Sequence, residues 1–451
     1  MTARPACAVL LALALVAASG GSARAAWSPP DAVPGSDDVQ APGPAIAFAA
    51  SGRSLITWRA GLLRPDEAQR AERAQRSAPG AYSTPLEIEG LANDPVAFAE
   101  TRVALLRLRG VFPRMTLTAD LGRLTSNSGP DRTLARDAAV AGPPVLAGNA
   151  RGDLVAAWTV PAGAHEHLDI SLRHPGGRFG TPHVLRGSGR LAFPAAAYGD
   201  RGDTLVAYQR TSVDARGRTR REVEARLRRP GHNFGSPQVL GETHGLAWIA
   251  TAIAPTGRAY VVWAEQDRGE EANEPLTVHA TLAAPSHHLF NRARELARSP
   301  LAARPQGTPR LVVDRTGNAT AAWSLPTSAT AARVDTAAAR AGSWFAAPAS
   351  VAADGILQDL AGAPDGAALV LWTGAFGASF TPRPVAAAYR PAGASAFGAA
   401  ESVVADPEDP GDAAAAFDAS GRPVVAWIGR PGFGGEFPPA EPRVVRVAQR
   451  D

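Results

Sequence analysis

Two groups of polar residues have types and spacings that could do chemistry, and the first is rich in histidine. His165 and His167 precede Asp169, so three potential metal ligands follow an i, i+2, i+4 spacing. On an extended strand this spacing places all three side chains on one side. The alternative is a solvated connection between two strands, because the helical spacing of zinc proteases does not occur.

The second group is rich in arginine. Its centre is formed by Arg218, Arg220 and Arg221, and further arginines occupy positions 216, 226, 228 and 229. Guanidinium groups bind phosphates and carboxylates through paired N–H donors, so this group could hold a polysaccharide or a cell-wall polyanion. Alternate side chains of a strand face water, and an exposed hairpin is therefore the competing interpretation.

Other motifs favour no particular chemistry. Acidic stretches at 265–274 and 406–412 could hold calcium, but neither has the spacing of a known calcium loop. The adhesion tripeptide Arg-Gly-Asp occurs at 151–153 and at 201–203, where its glycine belongs to a repeated turn. No phosphate loop, nucleophile elbow or Ser-His-Asp order stands out. We therefore assign no catalytic residue and expect no cofactor.

A repeat of one glycine followed six residues later by an aromatic residue positions all these side chains. Its best copy, Leu311–Trp323, indicates a strand, a tight polar turn and a second strand. The copies are Gly52–Trp58, Gly152–Trp158, Gly202–Tyr208, Gly257–Trp263, Gly317–Trp323, Gly366–Trp372 and Gly421–Trp427. The second strand is apolar on both faces, as in 154–158, so we expect neighbouring units to bury it, with the aromatic residue filling the gap.

Each hairpin is followed by a third strand and by a fourth that begins at an aromatic residue, such as Phe179, Phe234, Phe345 or Phe397. Four short strands in roughly 50 residues are typical of a propeller blade. By local rules, residues 66–76 look helical, but the repeat predicts a third strand there. The sequence therefore predicts an all-β chain that forms a single β-propeller.

The number of blades depends on a degenerate copy. Trp58 and Trp158 lie two repeat lengths apart, and Glu100 and Leu106 occupy the glycine and aromatic positions between them. We predict eight blades, with seven as the alternative. The last blade lacks a fourth strand, and residues 26–36 match that pattern. We therefore expect residues 26–36 to pair with residues 443–448, so that the two ends of the chain close the ring. This pairing removes an open sheet edge.

The first 25 residues predict a signal peptide, with Arg4, an apolar run at 7–18 and a small-x-small site at 23–25. We therefore expect a secreted mature chain of residues 26–451. Cleavage would remove the single cysteine, Cys7, and two arginines, so that the formal charge falls from +4 to +2. This near balance argues against nucleic acid as a partner. No later segment is apolar for long enough to span a membrane.

The repeat resembles propeller blades in general, and two of its turns resemble the Asp-box turn of bacterial sialidases. These turns are Asp314-Arg315-Thr316-Gly317 and Asp418-Ala419-Ser420-Gly421. The aromatic residue follows the glycine at a longer interval here than in that family. The resemblance implies converging arginines, a tyrosine nucleophile and an acidic proton donor, and none of these can be carried over to a residue of this chain.

Two functions follow as expectations. The first is a monomeric, non-catalytic binding or scaffold module for a cell-surface polymer or surface protein. The alternative is a glycoside hydrolase or lyase of the sialidase-like propeller type, with carboxylates at the mouth of the central channel. First strands such as 194–198 and 413–417 carry small, apolar residues. This composition favours binding over catalysis.

Overall fold

A computed structural model describes residues 26–450 with internal gaps. The gaps are at 37–38, 50, 61–69, 77–80, 90, 93–95, 99–101, 112–113, 124–131, 139, 141–142, 188, 267–274, 303–307, 329, 375–383, 405–411 and 430–443. The predicted signal peptide and nearly all of the two acidic stretches lie outside the described residues. Within the described ranges the chain is all-β. None of these ranges contains a helix that is long and apolar enough to cross a membrane.

The described strands form eight sheets, which we number as blades 1 to 8 in chain order. Blade 1 contains β2 (Val39–Phe48), β3 (Ser54–Ala60), β4 (Arg70–Arg76) and β5 (Leu86–Glu89), and blade 2 contains β6 (Leu91–Ala92), β7 (Val96–Phe98), β8 (Arg102–Val111), β9 (Arg114–Arg123) and β10 (Arg132–Ala138). Blade 3 contains β11 (Val145–Gly148), β12 (Leu154–Ala162), β13 (His165–Arg173) and β14 (His183–Arg186). Blade 4 contains β15 (Arg190–Tyr198), β16 (Thr204–Val213), β17 (Thr219–Arg228) and β18 (Gln238–Thr243). Blade 5 contains β19 (Ala247–Ile253), β20 (Ala259–Gln266), β21 (Pro275–Ala283) and β22 (Arg294–Ala302), and blade 6 contains β23 (Arg310–Val313), β24 (Ala319–Pro326), β25 (Ala332–Ala339) and β26 (Ala349–Ala352). Blade 7 contains β27 (Ile356–Gly362), β28 (Ala368–Thr373), β29 (Val385–Arg390) and β30 (Glu401–Ser402). Blade 8 contains β31 (Ala413–Phe417), β32 (Pro423–Gly429), β33 (Val444–Gln449) and β1 (Asp31–Ala32).

The blades form a closed ring, which confirms the prediction of an eight-bladed propeller and excludes seven blades. Within each blade the strands pair antiparallel, and the first strands of consecutive blades contact one another around the whole circle. The first strand of blade 2 is split into β6 and β7. The segment 70–76, which looked helical by local rules, is the strand β4, because pairing with β3 outweighs helix propensity.

The chain ends close the ring as predicted. In β1, Asp31 pairs with Val447 and Ala32 with Arg446, so that a segment from the start of the chain completes blade 8. The amide of Ser28 donates to the Gln449 carbonyl at 2.8 Å. Blade 8 therefore presents no unpaired outer edge on β33.

The repeated aromatic residues fill the seams between blades, as predicted, and each packs against the preceding blade. Trp158 contacts side chains of blade 2, Trp263 those of blade 4, and Trp58 those of blade 8. Blade 2 corrects the sequence alignment by one residue. Leu106 packs forward against blade 3, whereas Leu105 packs back against blade 1. Side chains alternate between the two faces of a strand, so a shift of one residue changes the blade that is contacted.

In blade 6, the side chain of Asp314 holds the turn between the first and second strands. Asp314 Oδ1 accepts hydrogen bonds from the amides of Thr316 and Asn318 at 2.8 and 2.9 Å, and Gly317 adopts a φ of +90°. Burial alone would raise the pKa of Asp314, but these hydrogen bonds outweigh it and lower that pKa. Asp418 makes the same turn. The Asp of this turn therefore has a structural role.

Both Arg-Gly-Asp tripeptides are part of the same framework. Arg151 donates to the Asp200 carbonyl of the next blade at 2.6 Å, and Arg201 donates to the Thr256 carbonyl of the blade after that at 2.7 Å. Asp203 is fully buried and pairs with Arg229 at 2.9 Å. The two arginine contacts join neighbouring blades and the buried ion pair stabilises blade 4, so the fold accounts for both copies.

Candidate functional site

The histidine group and the central arginines 218, 220 and 221 lie at one end of the ring. In an antiparallel blade the first and third strands begin at the same end, which we call the upper face. His165 begins β13 and Arg220 lies at the start of β17. Phe193 and Trp248 lie in the first halves of β15 and β19. The hairpin turns that carry the repeated glycines lie on the opposite, lower face.

The histidine group does not converge on a single point. Nε2 of His167 lies 3.2 Å from Oδ1 of Asp169, whereas Nδ1 of His165 accepts a hydrogen bond from the Gly189 amide at 3.2 Å. Burial raises the pKa of Asp169 and the charge of His167 opposes this. No group of three or more His, Cys, Asp or Glu that could hold a metal is found among the described residues.

The pair formed by His167 and Asp169 is one copy of a repeated arrangement. Asp169 lies opposite the seam residue Trp158 in the strand pairing. In blade 6, Asp335 lies opposite Trp323 in the same way, and Arg333 donates to it at 2.9 Å. An acid–base pair with i, i+2 spacing thus adjoins the seam aromatic residue in both blades. This position explains the motif structurally, and metal binding remains an untested prediction.

The arginine group is neutralised by its own blade. Nε of Arg218 donates to Asp214 at 2.8 Å, and the Arg220 guanidinium contacts Glu242 and lies 3.0 Å from Glu222. Nη1 of Arg221 donates to the His244 carbonyl at 3.3 Å. Arg220 and Arg221 therefore brace the segment that leads from blade 4 to blade 5. Their capture of a polyanion also remains a prediction.

The braced segment runs across the upper face from β18 at the rim to β19 at the channel, and it exposes a stripe of side chains. His244 and Leu246 are exposed and Trp248 is half-buried, while the alternate residues 243, 245 and 247 are buried. Below the stripe, Nε2 of Gln209 donates to the Gly245 carbonyl at 2.6 Å. A hydrogen bond to a backbone carbonyl fixes the stripe relative to blade 4.

Phe193 completes this surface from blade 4. Its ring lies 6.0 Å from that of Trp248, with the planes inclined at 41°, and 36% of the residue is exposed. Its φ is +51°, at a bulge between Ala192 and Ala195, and it is the one non-glycine residue with positive φ in the described ranges. Such a backbone costs about 1–3 kcal/mol and persists where the surrounding structure imposes it. We call Phe193, His244, Leu246 and Trp248 the mouth cluster.

Sequence reasoning did not single out Phe193 or Trp248, although a signal was present. Of the nine tryptophans, six occupy the seam position of the repeat, and Trp27 belongs to the closing segment. Trp248 and Trp344 are the two that the repeat leaves unexplained. A large aromatic side chain outside the periodic positions indicates a local role.

Carboxylates along the described part of the channel serve as links between blades. Oδ2 of Asp359 accepts from the Ala415 amide of blade 8 at 2.9 Å, and Oδ2 of Asp412 accepts from the Gly43 amide of blade 1 at 2.8 Å. Arg310 of blade 6 also lies 3.6 Å from Asp359. Both carboxylates therefore already accept hydrogen bonds from backbone amides of neighbouring blades. This engagement does not favour either of them as a catalytic acid or base.

Comparisons with known proteins assign no family to this chain. No family model matches the sequence, and no curated protein matches it. Among solved structures, an ulvan lyase is 12% identical over 77% of this chain and 92% of its own, with a TM-score of 0.46. The NanB sialidase from Streptococcus pneumoniae is 11% identical over 93% and 69%, with a TM-score of 0.40. A puromycin hydrolase is 17% identical over 92% and 62%, with a TM-score of 0.46. None of these similarities carries an argument about function.

Proposed function

We propose that this protein is a secreted module that binds a cell-surface polysaccharide at the mouth cluster without cleaving it. The observation that carries the proposal is the pair Phe193–Trp248. Two aromatic rings are presented at the inner edge of the ring, one of them on a strained backbone. Flat aromatic faces complement the C–H face of a sugar ring, and burying them against it removes apolar surface from water.

The surroundings support binding rather than catalysis. Arg190 lies three residues before Phe193 and is exposed, so its guanidinium can donate to a sugar's hydroxyl groups. Glycoside hydrolysis by the usual route needs two carboxylates that flank the scissile bond. The described channel acids, Asp359 and Asp412, already accept backbone hydrogen bonds.

The test is retardation of the purified protein in native gels that contain soluble polysaccharides, with release of reducing ends measured in parallel. We expect retardation by at least one polysaccharide and no release of reducing ends. Phe193→Gly and Trp248→Ala should abolish the retardation. Val213→Ala is the matched control, because Val213 is 68% exposed at the same end of blade 4 but lies outside the mouth cluster.

The variant Phe193→Gly separates binding from folding. Glycine relieves the positive φ, and this gain offsets the lost ring contact, which is worth about 0.5–1.5 kcal/mol. We therefore expect its melting temperature to change little. Retardation that survives both mouth variants would contradict the proposed site, and release of reducing ends would favour the glycoside hydrolase or lyase instead.

A further inference from the structure

A cleft lies at the outer rim of the ring, between blades 5 and 6. It is lined by Asn291, Arg292, Ala293, Arg294 and Trp344, and its volume is about 460 Å³. This volume is within the range of small-molecule sites, roughly 300–1,000 Å³. The cleft lies towards the lower face, because Trp344 belongs to the connection between β25 and β26. It is therefore separate from the mouth cluster.

The residues of the cleft are those in which these two blades depart from the repeat. Phe345 takes the regular aromatic position and is buried in the seam, so Trp344 is additional. Blade 5 carries Asn291-Arg292-Ala293-Arg294 after its own aromatic residue, Phe290. At the same place blades 3, 4, 6 and 7 have Gly180-Thr181-Pro182-His183, Gly235-Ser236-Pro237-Gln238, Ala346-Ala347-Pro348-Ala349 and Gly398-Ala399-Ala400-Glu401. The repeat explains neither the arginines nor the indole.

The geometry combines positive charge with an aromatic surface. The guanidinium carbon of Arg294 lies 4.6 Å from the centre of the Trp344 ring, so the two groups stack. Neither Arg292 nor Arg294 has an ion-pair partner within the described part of the chain. Glu295, the adjacent acid, projects to the other side of β22. The guanidinium donors are thus available to a ligand, in contrast to those of Arg218 and Arg220.

We propose that this rim cleft binds an anionic sugar unit of an acidic polysaccharide. The carboxylate or sulfate would accept charge-assisted hydrogen bonds from Arg292 and Arg294. The sugar ring would pack beside Trp344, and Asn291 would supply a donor and an acceptor for hydroxyl groups. The proposal does not depend on binding at the mouth cluster, because the two sites share no residue.

The test uses the full-length chain with polygalacturonate, dextran sulfate and neutral dextran as probes. We expect binding of polygalacturonate or dextran sulfate, and no binding of neutral dextran through this cleft. The double variant Arg292→Gln/Arg294→Gln should weaken binding at least about tenfold, which corresponds to about 1.4 kcal/mol. Trp344→Ala should weaken it as well. The two acidic probes distinguish a carboxylate site from a sulfate site.

Control variants keep the test specific. Arg216→Gln removes one positive charge at an exposed position of the upper face and should leave binding unchanged. Phe193→Gly should also leave the rim cleft intact, so failure of the mouth site is distinguishable from failure of this one. Equal binding by the double variant and the wild type would overturn the proposal. The proposal would also be overturned if oligothymidylate alone bound and the double variant weakened that binding, because this result would identify a nucleic-acid site.

Discussion

Substitutions in the closing segment should reduce the stability of the whole ring. Val33 is 2% exposed and packs among residues of blades 1 and 8, and Ser36 is 1% exposed. Oγ of Ser36 accepts a hydrogen bond from the Val445 amide at 2.9 Å. If residues 26–36 were a free tail, neither side chain would matter. The double variant Val33→Ala/Ser36→Ala therefore tests ring closure directly.

The magnitude follows from two losses. Val33→Ala removes two buried methyl groups, at ~0.8 kcal/mol each, and leaves a small cavity, for a total of about 2 kcal/mol. Ser36→Ala leaves the buried Val445 amide without its acceptor, which costs about 1–3 kcal/mol. Together these losses lower the free energy of unfolding by about 3–5 kcal/mol. The total free energy of unfolding of a typical domain is about 5–15 kcal/mol.

The assay is urea unfolding followed by tryptophan fluorescence. Val184→Ala is the matched control, because Val184 is 51% exposed on the outer strand β14 and its truncation should change stability by less than about 0.5 kcal/mol. Removal of residues 26–36 should lower the melting temperature further, since it also exposes the edge of β33. A double variant that unfolds at the same urea concentration as Val184→Ala would refute closure by the chain ends.

Two further predictions concern buried polar groups. Burial, followed by the charge of Glu224, raises the pKa of Tyr208 to about 12. The stability that the neutral Tyr208 hydroxyl contributes is complete below pH 10, and about 2–3 kcal/mol of it is lost as the pH rises to 12. The melting temperature of Tyr208→Phe should therefore fall less steeply than that of the wild type between pH 10 and 12. Equal slopes would contradict the raised pKa. Arg229→Met should destabilise by about 3–5 kcal/mol, because it leaves the Asp203 carboxylate buried without its ion-pair partner. Chemical unfolding beside the exposed control Arg216→Met measures this loss, and an equal effect of both substitutions would show that the buried pair is dispensable.

The architecture was predictable because one physical requirement recurs in every blade. A hairpin needs a turn glycine, a doubly buried strand needs apolar residues, and a seam needs a large side chain. The missing fourth strand of blade 8 pointed to residues 26–36 for the same reason. Blade 2 was harder to align, since it lacks both the turn glycine and the seam tryptophan, and Leu105 and Leu106 are chemically equivalent.

The candidate sites were less predictable, because repeats do not determine local departures. The polar motifs visible in the sequence, at His165 and at Arg218–Arg221, proved to have partners in their own blades. The residues with surface free for a ligand, Phe193 and Trp248, are apolar and belong to no polar motif, and the one sequence signal was the place of Trp248 outside the repeat. Their meeting depends on the adjacency of two first strands, which no local pattern encodes.

The central claim is that the mouth cluster binds a polysaccharide, and amide hydrogen exchange measures this most directly. The protein is compared with and without the polysaccharide that retards it in gels. We predict slower exchange at 189–196 and 243–250, the two segments that carry Phe193 and Trp248. Unchanged exchange in both segments, with protection confined to other parts of the ring, would contradict the account.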